Sequence, residues 1–196
     1  MTQARRFDEV MCRYFRKAGK NNTRDVLEAV ARRVGELGIQ KVLVPSVSGT
    51  TALAAAKTLG RGARIIAVTH VTGFDGPNVQ ELSPAMRKRL ESAGVSAFTG
   101  QHAFGGVGRA VRNRLGTYQV DEIMAWTLRT FGQGSKVAVE IALMAADAGL
   151  VRTDEDVISM GGTCEGVDTA LVIRPANSYH FFDLKVREVI CKPWEF

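Results

Sequence analysis

Apolar positions along this chain switch repeatedly between the alternation of strands and the three-to-four-residue spacing of helices. Residues 10–15 form a first extended run. Asn22 then stands where a helix cap is expected, and Val26, Val30, Val34 and Leu37 form one stripe that Gly38 ends. Residues 41–45 are a short apolar strand, followed by a turn over 46–49 and a helix to Leu59. Residues 63–69 are almost continuously apolar, as in a strand covered on both faces. Ser83 and Pro84 open another helix, Gly94 closes it, and residues 95–99 make the next strand.

The centre of the chain reads as helical. Thr117 can cap a segment carrying Val120, Met124, Leu128 and Phe131, which Gly132 ends, and a second helix runs from Ser135 to Ala148 before Gly149. Three strand-like runs close the sequence, over 156–160, 169–174 and 186–191. Alternating strands and helices imply a parallel sheet with helices on both faces. The closing runs lack helices long enough to separate them, and are expected as antiparallel strands at an edge. The predicted fold is a single α/β domain over residues 1–196, a three-layer αβα sandwich with a mostly parallel sheet and antiparallel edge strands.

Composition narrows the class. The chain has 196 residues, 45% of them hydrophobic, and a formal net charge of +6. No apolar run reaches the roughly 18 residues that a membrane helix needs. Residues 1–6 lead into Asp8 and Glu9 without the apolar stretch of a signal peptide. Cys12, Cys164 and Cys191 are odd in number and far apart, which favours reduced structural thiols. A cytoplasmic location without a membrane follows as the expectation. The basic residues are scattered among acidic ones, and no RNA-binding signature appears, so a small anionic ligand is the expected partner rather than nucleic acid.

In such a sheet, ligands gather outside the carboxyl ends of the strands. The loop after the second strand holds Ser46, Ser48, Gly49, Thr50 and Thr51. Backbone amides at the helix start and these hydroxyls can surround an anion, and Gly49 permits close approach. The loop lacks a Walker lysine. From this loop alone, a ligand-free capped helix and an anion cradle are equally consistent. Thr69, His70, Thr72 and Gly73, followed by Phe74, form a second loop able to meet a planar ligand or to serve as a turn. Gly161, Gly162 and Thr163 belong to a third, and Asn22 stands beside Lys17 and Lys20 in a fourth.

Other constellations carry less. Gly105, Gly106 and Gly108 look like part of a dinucleotide loop, but Val111 occupies the last glycine position and the following acidic residue is missing. Arg109, Arg112 and Arg114 read as a solvated helix face. His70, His102 and His180 lack metal-ligand spacing, so no metal is expected. Glu140 interrupts an apolar helix, either as a tuned carboxylate or, as favoured, paired with Lys136 one turn earlier. No catalytic residue is assigned.

The 46–51 segment, SVSGTT, resembles the effector-phosphate loop of the pyruvate kinase C-terminal domain, and residues 64–69 are similar to its third strand. That kinase's catalytic barrel has no counterpart here, so kinase activity is not implied. A closer resemblance is to small, free-standing pyruvate kinase alpha/beta-domain-like proteins. It runs through Tyr14 and Phe15, Asn22 and Thr23, residues 72–74, Gln101 and His102, residues 139–141 and 144–147, Gly161 and Gly162, residues 168–170 and 172–176, and residues 188–191. Members of that family are associated with FMN, without a settled reaction. The resemblance therefore implies an FMN pocket with the phosphate at 46–51, and an oxidoreductase role as its extension. A regulatory module sensing a phosphorylated metabolite is the alternative. Self-association through the closing strands is left open.

Overall fold

The computed structural model describes residues 8–196. The segment 1–6, read above as no signal peptide, lies outside the described residues. The elements follow in the order β1 (Arg13–Lys17), α1 (Thr23–Leu37), β2 (Lys41–Pro45), α2 (Thr50–Leu59), β3 (Arg64–Thr69), α3 (Pro84–Ser92) and β4 (Ser96–Thr99). Then come α4 (Val107–Leu115), α5 (Val120–Arg129), α6 (Gln133–Asp147), β5 (Val157–Gly161), β6 (Thr169–Arg174) and β7 (Lys185–Glu195). All seven strands share one sheet in the order β1-β7-β6-β5-β2-β3-β4. β2 pairs in parallel with both β3 and β5, and β3 with β4. β6 runs antiparallel between β5 and β7, and β1 closes that edge parallel to β7. This is the expected αβα sandwich.

Alternation decides which residues meet which layer. Val42 and Val44 of β2 join Ile65 and Ala67 of β3, Ile158 of β5 and Val172 of β6 in one core, against α1 and α2. Leu43, Ile66, Val157, Leu171 and Ile173 point the other way, into a core with α5 and α6. Leu43, Ile66, Leu143 and Ile173 are fully buried, and each such side chain contributes about 1.5–3 kcal/mol of transfer free energy.

Several boundaries differ from the sequence expectation. β1 starts at Arg13, because its partners run from Cys191 to Glu195 on β7; Val10 and Met11 are exposed and unpaired. β7 extends well past Cys191 along β1. The N-cap position of α5 is Gln119 rather than Thr117, and α6 begins at Gln133. Asn22 does occupy the N-cap position of α1, but its side chain makes no capping bond; Nδ2 donates instead to the Lys17 carbonyl at 2.8 Å. Among the described residues, no helix is long and apolar enough to cross a membrane.

One contact sets the position of the most buried helix. Residues 134–136 and 138–146 of α6 are all buried. Its first turn reaches the sheet because Gly161 has no Cβ; a methyl there would strike the carbonyl of Gly134. A methyl on Gly134 would in turn strike the side chains of Thr169 and Asp168. Ser159 Oγ then donates to the Ala138 carbonyl at 2.7 Å, fastening the next turn. The Gly161→Ala variant is therefore expected to lose about 1–3 kcal/mol of stability or more, because backbone must move to admit the methyl. Urea denaturation of variant and wild type measures the loss; an unchanged midpoint would refute the contact.

Candidate functional site

The carboxyl ends of β1 to β5 and β7, with the start of β6, form one rim of the sheet. Asp168, at the entry to β6, is fully buried and ties this rim together. Its carboxylate accepts from the Gly19 amide (2.9 Å) and from Thr169 Oγ1 (2.9 Å). Thr23 Oγ1 accepts from the Val167 amide at 3.1 Å, and Lys20 pairs with Glu165 at 2.7 Å. Asn22 and the 161–166 loop are thereby held side by side.

The 46–51 loop leaves the rim between β5 and β3. The Ser46 amide donates to the Val68 carbonyl at 3.0 Å, and Ser46 Oγ accepts from Ala52 N at 3.2 Å, so this hydroxyl caps α2. Ser48 and Thr50 are exposed and hydrogen-bond each other at 3.1 Å. The amides of Val47, Ser48, Gly49, Thr50 and Thr51 donate to no acceptor among the described residues. Gly49 adopts the left-handed conformation, with φ of 87°. The group that approaches its Cα is the protein's own: a Cβ would overlap the Met86 side chain and press on Leu82.

Beside this loop, β3 and β4 open into a cavity of about 740 Å³. His70, Gly73, Phe74 and His102 form one lip. The Phe74 and His102 rings lie 5.3 Å apart and nearly parallel, at 13°, while His70 is 4.1 Å from Phe74. His70 Nδ1 bonds Glu81 Oε2 at 2.7 Å. His102 Nε2 accepts from the Val71 amide at 3.3 Å, which puts the proton of a neutral ring on Nδ1. Thr69 and Thr72 are turned to neighbouring protein groups, Thr69 Oγ1 to Thr99 Oγ1 (2.7 Å) and Thr72 Oγ1 to Gln80 (3.2 Å).

The opposite wall comes from the helices after β4. Gly105, Gly106, Arg109 and Arg112 line it from α4 and the loop before it, Arg129 from α5, and Gln133, Lys136 and Glu140 from α6. Lys136 bonds Glu140 one turn away, and both side chains are less than a tenth exposed. Glu140 also accepts from the Phe104 amide at 3.1 Å. The favoured sequence reading of Glu140, a pair with Lys136 one turn earlier, therefore holds, and both partners are buried. Arg109 Nε donates to Glu122 at 2.7 Å, and Arg112 Nε lies 3.4 Å from the same oxygen. Arg109 and Arg112 are thus cavity residues rather than a solvated face; only Arg114 of that group is exposed.

Burial holds the His102 imidazole below its ordinary pKa. Glu140 opposes that shift, while neighbouring His70, Lys136 and Arg109 reinforce it. Burial likewise lowers Lys136, against the pull of Glu140. Removing one partner of a buried ion pair costs about 3–5 kcal/mol, so this pair is also structural. Away from the cavity, burial pushes the Cys191 thiol up to about 12, leaving it a neutral core group.

Three of the sequence-predicted residues, His70, Gly73 and His102, meet in the cavity. Asn22, the 46–51 loop and residues 161–163 lie elsewhere on the same rim. Gly161 and Gly162 admit protein backbone, from Gly134 and Gly166 respectively. Thr163 Oγ1 is buried without a hydrogen-bond partner. The cationic wall was missed in the sequence; the one signal for it was the arginine spacing of α4.

An open α/β sheet with helices on both faces, and a cationic, aromatic-lipped cavity on its carboxyl rim, defines a domain of the doubly wound α/β class. The family described as the pyruvate kinase alpha/beta domain matches residues 24–173, from α1 into β6. The chain belongs to that family.

The lowered pKa of His102 makes stability depend on pH. Below its ordinary value of about 6.5 the unfolded chain binds a proton that the folded ring resists, so stability is full above that pH and falls as pH drops below it. Replacing His102 by Gln, which can still accept from Val71, is expected to flatten this slope. Thermal melts of both proteins between pH 7.5 and 5.5 measure it; parallel pH profiles would contradict the assignment.

Proposed function

We propose that this protein binds FMN on the carboxyl rim, with the phosphate at the 46–51 loop and the isoalloxazine ring toward the His70, Phe74 and His102 lip. The observation that carries the reading is the run of unpartnered amides from Val47 to Thr51, at the start of α2 and joined to β3 through the Ser46–Val68 bond. Amides at a helix start carry partial positive charge, which suits a phosphate without any lysine.

The residues fit the group. Ser48 and Thr50 present exposed hydroxyls beside the free amides. The loop after β5 leaves the sheet next to this one, and its Thr163 Oγ1 is an unsatisfied buried hydroxyl able to meet a ligand oxygen. The lip offers a half-exposed Phe74 ring lying parallel to His102, a surface on which a flat heterocycle can stack. The cavity volume is within the range of small-molecule and cofactor sites, about 300–1,000 Å³.

A bound flavin supplies one- and two-electron transfer through its own ring. The chain's residues would hold and tune it. The amides fix the phosphate, Phe74 and His102 shield one face, and His102 Nδ1–H is a donor at the cavity wall. The buried Lys136 keeps positive charge nearby.

The test is titration of purified protein with FMN and with riboflavin, followed by flavin fluorescence. FMN is expected to bind saturably. A Ser48→Asp variant puts a carboxylate among the free amides at an exposed position, and is expected to weaken FMN about tenfold or more while leaving riboflavin unchanged. Gly49 is unsuitable for this purpose, because any side chain there meets Met86. No saturable FMN binding, or stabilisation by sugar phosphates in its place, would reject the flavin reading.

A further inference from the structure

Three guanidinium groups converge on the helical wall of the cavity, from Arg109, Arg112 and Arg129. Each spends its Nε side on the protein. Arg109 and Arg112 turn that side to Glu122, and Arg129 Nε donates to Gln133 Oε1 at 2.6 Å. The terminal nitrogens of Arg109 and Arg129 have no hydrogen-bond partner among the described residues, and those of Arg112 reach only Asn113, at 3.5 Å.

The positive charge is held in place by design of the packing rather than left to solvent. Glu122 is 3% exposed, and its second oxygen is buried without a partner. A buried carboxylate carrying that deficit is retained by the two arginines it anchors. Trp126 lies under the Arg129 guanidinium, 4.8 Å from the ring centre. Among the described residues, the only carboxylate lining the cavity is Glu140, which is taken by Lys136 and the Phe104 amide. Of the other acids nearby, Glu81 faces His70, while Asp121 lies against Gly108 of α4, outside the cavity lining, and makes no ion pair among the described residues. Like charges gathered in one partly desolvated space repel each other, and a bound anion relieves this.

We propose that this wall is a second ligand site, which takes a small molecule bearing an oxyanion, either a phosphate monoester or a carboxylate. Planar guanidinium forks with free terminal nitrogens match the two-oxygen edge of either group, and neither phenolic nor neutral amide ligands supply that complement. The site is separate from the 46–51 loop and does not depend on flavin binding there. If flavin does occupy the lip, the same cavity places the anionic molecule beside it.

The experiment uses flavin-free wild-type protein. Phenyl phosphate and succinate are titrated by calorimetry at constant ionic strength, with chloride as the control. At least one is expected to bind saturably, and which one binds distinguishes the two sources of the oxyanion. Arg109→Gln and Arg129→Gln are each expected to weaken it about tenfold or more, while Arg152→Gln, a surface arginine paired with Asp154, leaves it unchanged. In wild-type protein, phenylglyoxal labelling mapped by mass spectrometry should show Arg109, Arg112 and Arg129 protected by the bound anion, which keeps the test valid if a variant misfolds. Absence of binding above chloride would overturn the proposal. So would protection of no cavity arginine, or an affinity lost through Ser48→Asp in place of the arginine variants.

Discussion

The backbone contact between Gly134 and Gly161 is the constraint on which the rest of the rim depends. It brings the first turn of α6 over the end of β5, where no side chain on either residue fits. Everything that α6 presents to the cavity is measured from that point: Gln133 at its first position, then Lys136 and Glu140 on successive turns. Because α6 is buried along nearly its whole length, it has no solvent-facing freedom to rotate. The cavity's charged floor is therefore part of the core, and is as rigid as the packing around it.

Polar groups are used on this rim in two different ways. Asp168, Thr169 and Thr23 are consumed in tying loops together, and leave nothing for a ligand. The α2 amides and the arginine termini remain unpaired, although both sit on a folded, well-packed framework. Two buried side-chain oxygens, Glu122 Oε2 and Thr163 Oγ1, are also left without a hydrogen-bond partner among the described residues. The α2 amides and the arginine termini are donors, the hydrogen-bonding complement of an anion.

Much of the fold was legible in the sequence because its signals are local. The β3 run ARIIAVT has the composition of a strand covered on both sides, and it is one. The stripe of Val26, Val30 and Val34 with Gly38 at its end specified α1, and Gly38 does take the left-handed conformation. Strand ends were less legible. Val10 belongs to an apolar run, but pairing with β7 selects Arg13 as the start, and no local preference encodes a partner almost the whole chain away. The site was legible where loops at strand ends carry it, with His70 and Gly73 after β3 and His102 after β4. It was hidden where three helices contribute the cations, since only tertiary packing shows that Arg109 and Arg112, Arg129 and Lys136 share a space. Gly49 shows the opposite limit: a glycine in a phosphate-loop pattern can be required by the neighbouring Met86.

The parallel pairing of β1 with β7 joins the two ends of the chain at the sheet edge. Among the described residues no other strand pairing spans such a sequence distance, so this one carries the largest loop-closure entropy. Until the amino-terminal segment docks, an emerging or refolding chain carries β7 as an open edge, with Trp194 and Phe196 beside it. Completing this sheet edge therefore requires segments separated by nearly all of the described residues to meet.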